Sequence, residues 1–404
     1  RSRRAPPAAE ALTMPVVLSY VQHLLGIGHL MRARLVAEAV AGAGFDVHLV
    51  SGGRPVGGPP PSGVRTVQLP PVHATGPGMK PLRAPDGQPI DDAYRRRRCE
   101  LLLAEFESVA PDVVIFETFP FGRRALHFEL LPLLERIAMA RPRPLVVASV
   151  RDILQQRSNA ERLREMLELA RASFDAVLVH GDPRFARFEE TFPLAAELGL
   201  PVHYTGFVAA PGAPRLPGQL DARSEIVVSA GGGTVGMRLL QAALAAQKRS
   251  RYRAQPWRVL AGTNVAETEV RQLARTAESN VVVERSRTDF PALLNRALVS
   301  VSQAGYNTVL DVLRSGARPV LVPYAEAGET EQRARASRLR ELDLAVVVDG
   351  AEDLPAALAA AIDAAGSRER WGPWDLDCDG AARSAALIKD MLQRGGGRRA
   401  AASR

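Results

Sequence analysis

The feature that most constrains the fold is a repeated unit: a short apolar run, a glycine-bearing turn, then an amphipathic segment. Val16 to Tyr20 leads through Gly26 and Gly28 into the stretch Leu30 to Ala43, which Gly44 closes before a second apolar run, Asp46 to Ser51. A run that is apolar on both faces suits a strand buried on both sides, and the 3.6-residue period of the following segment suits a helix lying across it. Together they make a βαβ unit, in which the helix carries the chain back to a parallel neighbour. Residues 52 to 90 are rich in Pro and Gly and hold one short run, VRTVQL at 64 to 69. The alternation then resumes with a helix over 92–109, strand 113–117, a helix after Gly122, strand 144–150, a helix to Ala172 and strand 175–180. A second series places strands at 226–230, 257–262, 280–285, 298–302, 318–323 and 345–349.

A chain of 404 residues exceeds the size at which single cores stop growing, so the two series are expected to be two domains. The fold expected is α/β: two Rossmann-like, doubly wound domains. Residues 1–13 read as a disordered tail, 14–206 as the first domain, and 207–224, with its prolines and no apolar period, as the linker. Residues 225–366 read as the second domain and 396–404 as a second disordered tail. Between them, 367–395 includes the periodic run AARSAALIKDML, a helix that needs another surface and is expected to cross back to the first domain.

Composition narrows the functions. Aromatic residues make up 5% of the chain, too few to suggest a stacking reader of nucleic acid, and no nucleic-acid motif is present. The formal charge of +8 comes from 52 basic and 44 acidic residues, with clusters at Arg95 to Arg98 and in both tails. Those clusters could meet an anionic membrane, or they are solvated charge. Cys99 and Cys378 fit no metal or redox spacing. No run approaches the roughly 18 apolar residues of a membrane span, so a cytoplasmic protein is expected, possible contact with the inner membrane face being peripheral.

Chemistry-bearing residues collect where strands end. The turn Leu25-Gly26-Ile27-Gly28-His29 lacks the third glycine of a dinucleotide fingerprint, which disfavours NAD. His29 is a candidate general base at that edge, or it caps or hydrogen-bonds the first helical turn. Glu117 and Asp152 end other strands and could orient the imidazole, hold acceptor hydroxyls, or pair with Arg123, Arg124 or Arg151. In the second series, Gly231, Gly232, Gly233 and Thr234 follow a strand, where exposed amides suit a diphosphate; no Gly-Lys-Ser/Thr follows, so this is no ATPase loop. Ser302 to Val320 places a polar loop before a helix that Gly316 ends, with Gly305, Thr308 and Asp311 on one helical face. A carboxylate there suits ribose hydroxyls, or it complements the helix N-terminus. Glu329 and Gln332 open the next helix and could bind sugar hydroxyls or serve as caps.

Three blocks, GIGHL, SAGGGT and SQAGYNTVLDVLRSGARPVLVP followed by ETEQ, resemble glycosyltransferases of the two-Rossmann GT-B architecture. Within these the chain is similar to the family containing the peptidoglycan enzyme that adds GlcNAc to lipid I, the family with the glycosyltransferase family 28 C-terminal domain. The resemblance implies two domains facing a cleft. It implies that Gly231 to Thr234 and Gly305 to Thr308, with Asn307 among them, cradle a donor diphosphate, that Asp311 holds the ribose where the family usually has glutamate, and that Gln332 contacts the donor sugar. The co-substrate implied is a UDP-sugar such as UDP-GlcNAc, with no further cofactor and no metal. The chemistry implied is inverting transfer to an acceptor hydroxyl, with His29 as base oriented by Glu117 or Asp152. Gly26 and Gly28 would face the acceptor, a glycan or a polyprenyl-linked compound. The other expectations weighed are a nucleotide-sugar 2-epimerase or hydrolase, and a catalytically silent nucleotide-sugar-binding partner.

Overall fold

The computed structural model describes residues 14–74, 81–156, 159–210, 224–231, 236–262, 265–287, 289–324, 329–368 and 375–402. The chain forms two parallel sheets. The first uses β1 (Val16–Val21), β2 (Asp46–Ser51), β3 (Val64–Gln68), β4 (Val113–Glu117), β5 (Leu145–Arg151), β6 (Ala176–His180) and β7 (Val202–Tyr204), in the spatial order β3-β2-β1-β4-β5-β6-β7. The second uses β8 (Glu225–Ser229), β9 (Trp257–Ala261), β10 (Val281–Arg285), β11 (Ala297–Ser302), β12 (Arg318–Leu321) and β13 (Val346–Val347), in the order β10-β9-β8-β11-β12-β13. Both orders reverse next to the first strand of the sheet, between β1 and β4 and between β8 and β11. A crevice opens at the carboxyl ends of such strands because the chain departs in opposite directions on the two sides.

The helices of the first domain are α1 (Gly28–Gly42), α2 (Asp92–Val109), α3 (His127–Met139), α4 (Ala160–Ser173) and the short α5 (Phe188–Thr191). Those of the second are α6 (Met237–Gln247), α7 (Glu267–Thr276), α8 (Phe290–Leu294), α9 (Tyr306–Ser315), α10 (Glu331–Glu341) and α11 (Leu354–Ser367), after which α12 (Gly380–Ala402) follows. Leu30, Ala33, Val36, Ala37 and Val40 make one buried stripe of α1, as the i, i+3, i+4, i+7 spacing requires. Helix α12 lies beside it, with Ala385 and Ile388 packed into the cluster that holds Val36, Ala37, Val40 and Ile115. The last helix therefore crosses back to the first domain, and burying Ile388 fully contributes about 1.5–3 kcal/mol to holding it there.

Where the sequence leads one to expect a disordered end from residue 396, helical backbone instead runs on to Ala402. Once a helix is nucleated each further residue adds a hydrogen bond, which carries the backbone past Gly395, Gly396 and Gly397 against their low propensity, and the Arg and Ala that follow are among the best residues to continue it. The expected tail at 1–13 and residues 211–223 of the linker lie outside the described residues. What is described of the crossing shows two strands of chain side by side: the Phe207 amide donates to the Asp377 carbonyl at 2.7 Å, and the Gly380 amide donates to the Phe207 carbonyl at 3.1 Å. The domains also share an apolar seam in which Ile153, Phe185 and Phe207 pack against Ala304, Tyr306, Val309 and Leu339.

Candidate active site

Glu117 is the last residue of β4 and faces the first turn of α1 across the reversal of strand order. Its carboxylate is almost wholly buried and collects donors from four directions. The His29 Nδ1 lies 3.0 Å from Oε1, Thr118 Oγ1 donates to Oε1 at 3.1 Å, Ser149 Oγ donates to Oε2 at 2.9 Å, and the Arg32 guanidinium forms an ion pair. The positive charge of Arg32 and the His29 contact hold the Glu117 carboxyl well below the usual carboxylate range, against the effect of burial. A carboxylate only accepts, so the 3.0 Å contact requires the hydrogen of His29 to sit on Nδ1, which leaves Nε2 with its lone pair. Burial, then the charge on Arg123, hold His29 well below the ordinary histidine range, so its imidazole is neutral at pH 7. Its side chain keeps 15% exposure, enough to meet a substrate. It does not cap α1, whose N-cap Ile27 has no side-chain partner.

The polar chain continues behind Glu117. Ser149 Oγ is 2.8 Å from Nε2 of the fully buried His180, whose Nδ1 is 2.9 Å from Thr205 Oγ1. The Ser149 hydrogen is committed to Glu117, so His180 donates from Nε2, while Thr205 Oγ1 also donates to the Gly206 carbonyl at 2.9 Å. Burial and the Arg32 charge lower its pKa to about 3. Tyr306, from the second domain, donates to the His180 carbonyl at 3.0 Å and lies under the Arg32 guanidinium, 5.2 Å from the ring centroid.

Asp152 does not orient His29. Its two oxygens accept from Arg335 on α10 at 2.9 and 2.7 Å, both side chains being buried, and the same guanidinium reaches Glu331 at 2.9 Å and the Ala304 carbonyl at 2.9 Å. Arg151 pairs with Glu331. These contacts clamp α10 to the end of β5, so the carboxylate expected at the base is a domain tie. The reason is distance along the sheet: β5 is one strand further from β1 than β4 is.

The second-domain residues face the same crevice. Gly305 caps α9 in an extended conformation with no side-chain cap, so the first amides of the helix are free for an anion. Asn307 Nδ2 donates to the Gly28 carbonyl at 3.3 Å, which sets the residue before His29 directly against the first turn of α9. Thr308 is half-buried one residue further. Burial pushes the Asp311 carboxyl up to about 6, with Arg314 opposing. Gly231 adopts the left-handed conformation (φ 71°) that its turn requires and donates from its amide to Ser229 Oγ at 3.3 Å. Gly232, Gly233 and Thr234 lie outside the described residues. Glu329 Oε1 accepts from the Glu331 amide at 2.7 Å and Gln332 Oε1 from the Tyr324 amide at 3.1 Å, so both hold the loop that opens α10. Gly26 is half-buried in the turn before α1.

Reading the sequence missed Arg32, Thr118, Ser149, His180, Tyr306 and Arg335. Arg32 stands three residues after His29, a spacing that puts both on one helical face, and Ser149 sits opposite Glu117 in the β4–β5 register. His180 and Tyr306 gave no such signal, because only the packing of whole elements brings them together.

Two doubly wound domains that meet across their switch points, with a last helix returning to the first, define the GT-B fold of glycosyltransferases. The chain matches, over residues 227–369, the family model described as Glycosyltransferase family 28 C-terminal domain. The glycotransferase of kitacinnamycin is similar to it, at 17% identity over 94% of this chain and 100% of that one, with a TM-score of 0.61. So is CalG4, the calicheamicin glycosyltransferase, at 18% identity over 97% and 98%, with a TM-score of 0.54. Acinetobacter baumannii MurG is similar at 15% identity over 95% and 100%, also with a TM-score of 0.54. No curated protein matches the chain by sequence.

Proposed function

We propose that the protein transfers a sugar, GlcNAc or a related hexose, from a UDP-sugar to an acceptor hydroxyl with inversion at the anomeric carbon. The acceptor hydroxyl gives its proton to His29 Nε2 as its oxygen forms the bond to the anomeric carbon. The bond from that carbon to the donor diphosphate breaks, and the electron pair leaves with the nucleoside diphosphate. Glu117 holds the imidazole in the required tautomer and stabilises the imidazolium that forms. The free amides at the start of α9 and the turn at Gly231 take up the charge on the departing diphosphate, work that calls for no metal when the donors are fixed beforehand. Asp311 accepts from the ribose hydroxyls.

The observation that carries this reading is the contact between Asn307 and Gly28, because it sets the uncapped helix of the donor domain against the turn that holds the base. The test is a thermal-unfolding panel of UDP, GDP, dTDP and ADP with their common sugars, run on wild type and Asp311→Ala. A nucleotide at 100 times its dissociation constant stabilises the fold by about 2.7 kcal/mol. Stabilisation by the uridine series that the variant loses supports the assignment. A panel in which no nucleotide shifts the wild type refutes it, and a shift confined to another base replaces uridine with that base.

A further inference from the structure

Arg123 is a charged group at this edge that the proposed transfer does not use. It stands in the turn after β4 with a left-handed backbone (φ 66°, ψ 22°), a conformation that a residue with a bulky side chain holds only when its surroundings compel it. Gly122 before it permits the tight turn, since a Cβ there would lie 2.8 Å from Thr118 Cγ2. Arg123 is 8% exposed, yet its Nε and Nη2 are sealed from solvent without a hydrogen-bond partner among the described residues. Glu117, the carboxylate whose field reaches it most strongly, is already engaged by Arg32, His29, Thr118 and Ser149. Arg151, at the end of β5, likewise leaves its Nε buried and unpartnered while it pairs with Glu331. Arg32, Arg123 and Arg151 thus share an edge whose acids, Glu117, Asp152 and Glu331, are each taken by another partner or ion pair. An uncompensated buried guanidinium is among the costlier features a folded protein can hold, and it persists where a ligand offsets it.

We infer that Arg123, together with Arg151, binds an oxyanion, a phosphate or a carboxylate, that the acceptor carries near the hydroxyl deprotonated by His29. This rests on the reading of His29 as the base. The arginines belong to the first domain, whereas Asn307 and Asp311 belong to the second, so the anion they await is the acceptor's own. The arrangement also couples binding to chemistry. Arg123 is the cation that most depresses the proton affinity of His29, ahead of Arg151 and against Glu117. An anion seated on it cancels that charge and brings the base toward its working range only when an acceptor is present.

The test uses the full chain, wild type and Arg123→Gln, titrated with sodium phosphate and separately with sodium acetate. Sodium chloride keeps the ionic strength constant, and each titration is followed by thermal unfolding with and without saturating UDP. The expected result is that one or both anions stabilise the wild type in the presence and absence of UDP. Arg123→Gln should bind them at least about tenfold more weakly and bind UDP equally well. The stronger of the two anions distinguishes a phosphorylated from a carboxylated acceptor. Absence of anion stabilisation in the wild type, or the same stabilisation in the variant, overturns the site. Weakened UDP binding by Arg123→Gln, with phosphate and UDP competing, also overturns it, because the arginine would then serve the donor diphosphate. Without anion the variant, relieved of an unpaired charge, should unfold no lower than the wild type. Should it fail to fold, Arg123→Lys, which keeps the charge but not the fork of donors, takes its place with the same weakening expected. A missing UDP shift in both proteins would refute the donor assignment, and the anion comparison would still decide the role of Arg123.

Discussion

Replacing His180 with glutamine tests the buried chain behind the base, because its effect has a sign and a size that follow from the burial of the imidazole. Fully enclosed and near the Arg32 charge, His180 is held at a pKa of about 3, against about 6.5 in an unfolded chain. Between those values the unfolded state binds a proton that the native state refuses, so stability is fully present above pH 6.5 and falls as pH drops towards 3. The slope is about 1.4 kcal/mol per pH unit, and integration from pH 7 to pH 5 gives a loss of about 2 kcal/mol from this one group. Glutamine keeps a donor and an acceptor for Ser149 and Thr205 but does not titrate. Whatever the substitution costs at pH 7, the gap between wild type and His180→Gln should therefore narrow by about 2 kcal/mol at pH 5. Urea unfolding followed by circular dichroism at pH 7, 6 and 5 measures it. A gap that stays constant over that range would mean that His180 protonates within the fold, and the reasoning from burial would be wrong.

Glu117→Gln leaves Arg32 buried without a counterion and replaces a carboxylate that only accepts with an amide whose nitrogen can face His29, so the His29 tautomer is no longer set. Unfolding should show a loss of about 3–5 kcal/mol, and transfer kinetics a loss in kcat of at least about 10²-fold. Arg335→Met strands Asp152 at the domain seam, while Glu331 keeps Arg151, and should cost about 3–5 kcal/mol in denaturant unfolding. Asp152→Asn should cost less, since Arg335 keeps Glu331 and the Ala304 carbonyl. With its carboxyl near 6, Asp311 loses its charge as pH falls through that value. UDP affinity of the wild type, read by calorimetric titration, should weaken below pH 6 by more than that of Asp311→Asn; equal pH dependence would remove Asp311 from the ribose.

Nearly every strand of both sheets can be located in the sequence, because parallel strands covered on both faces must be apolar throughout and so stand out from the amphipathic helices between them. The strands that escaped or shrank are those at the margins. β7, Val202–Tyr204, is half-buried and three residues long, and β13 is reduced to Val346–Val347, so neither has the continuous apolar run that marks the others. The approach of His29 to Glu117 could be anticipated because both stand at strand ends beside the reversal of strand order.

What the sequence determined by itself, then, is the alternation that makes two Rossmann-like domains, the helix that returns to the first, and the strand-end residues that can carry chemistry. Only the tertiary structure decided the partners of those residues. It gave Glu117 rather than Asp152 to His29, gave Asp152 to Arg335 on the other domain, and left Nε and Nη2 of Arg123 buried without a hydrogen-bond partner among the described residues. The physical reason is that periodicity records which face of an element avoids water, a property local to the chain. The pairing of buried charges depends on which elements meet across a crevice, and residues 29, 117, 180 and 306 come together only when both sheets and the seam between them have formed.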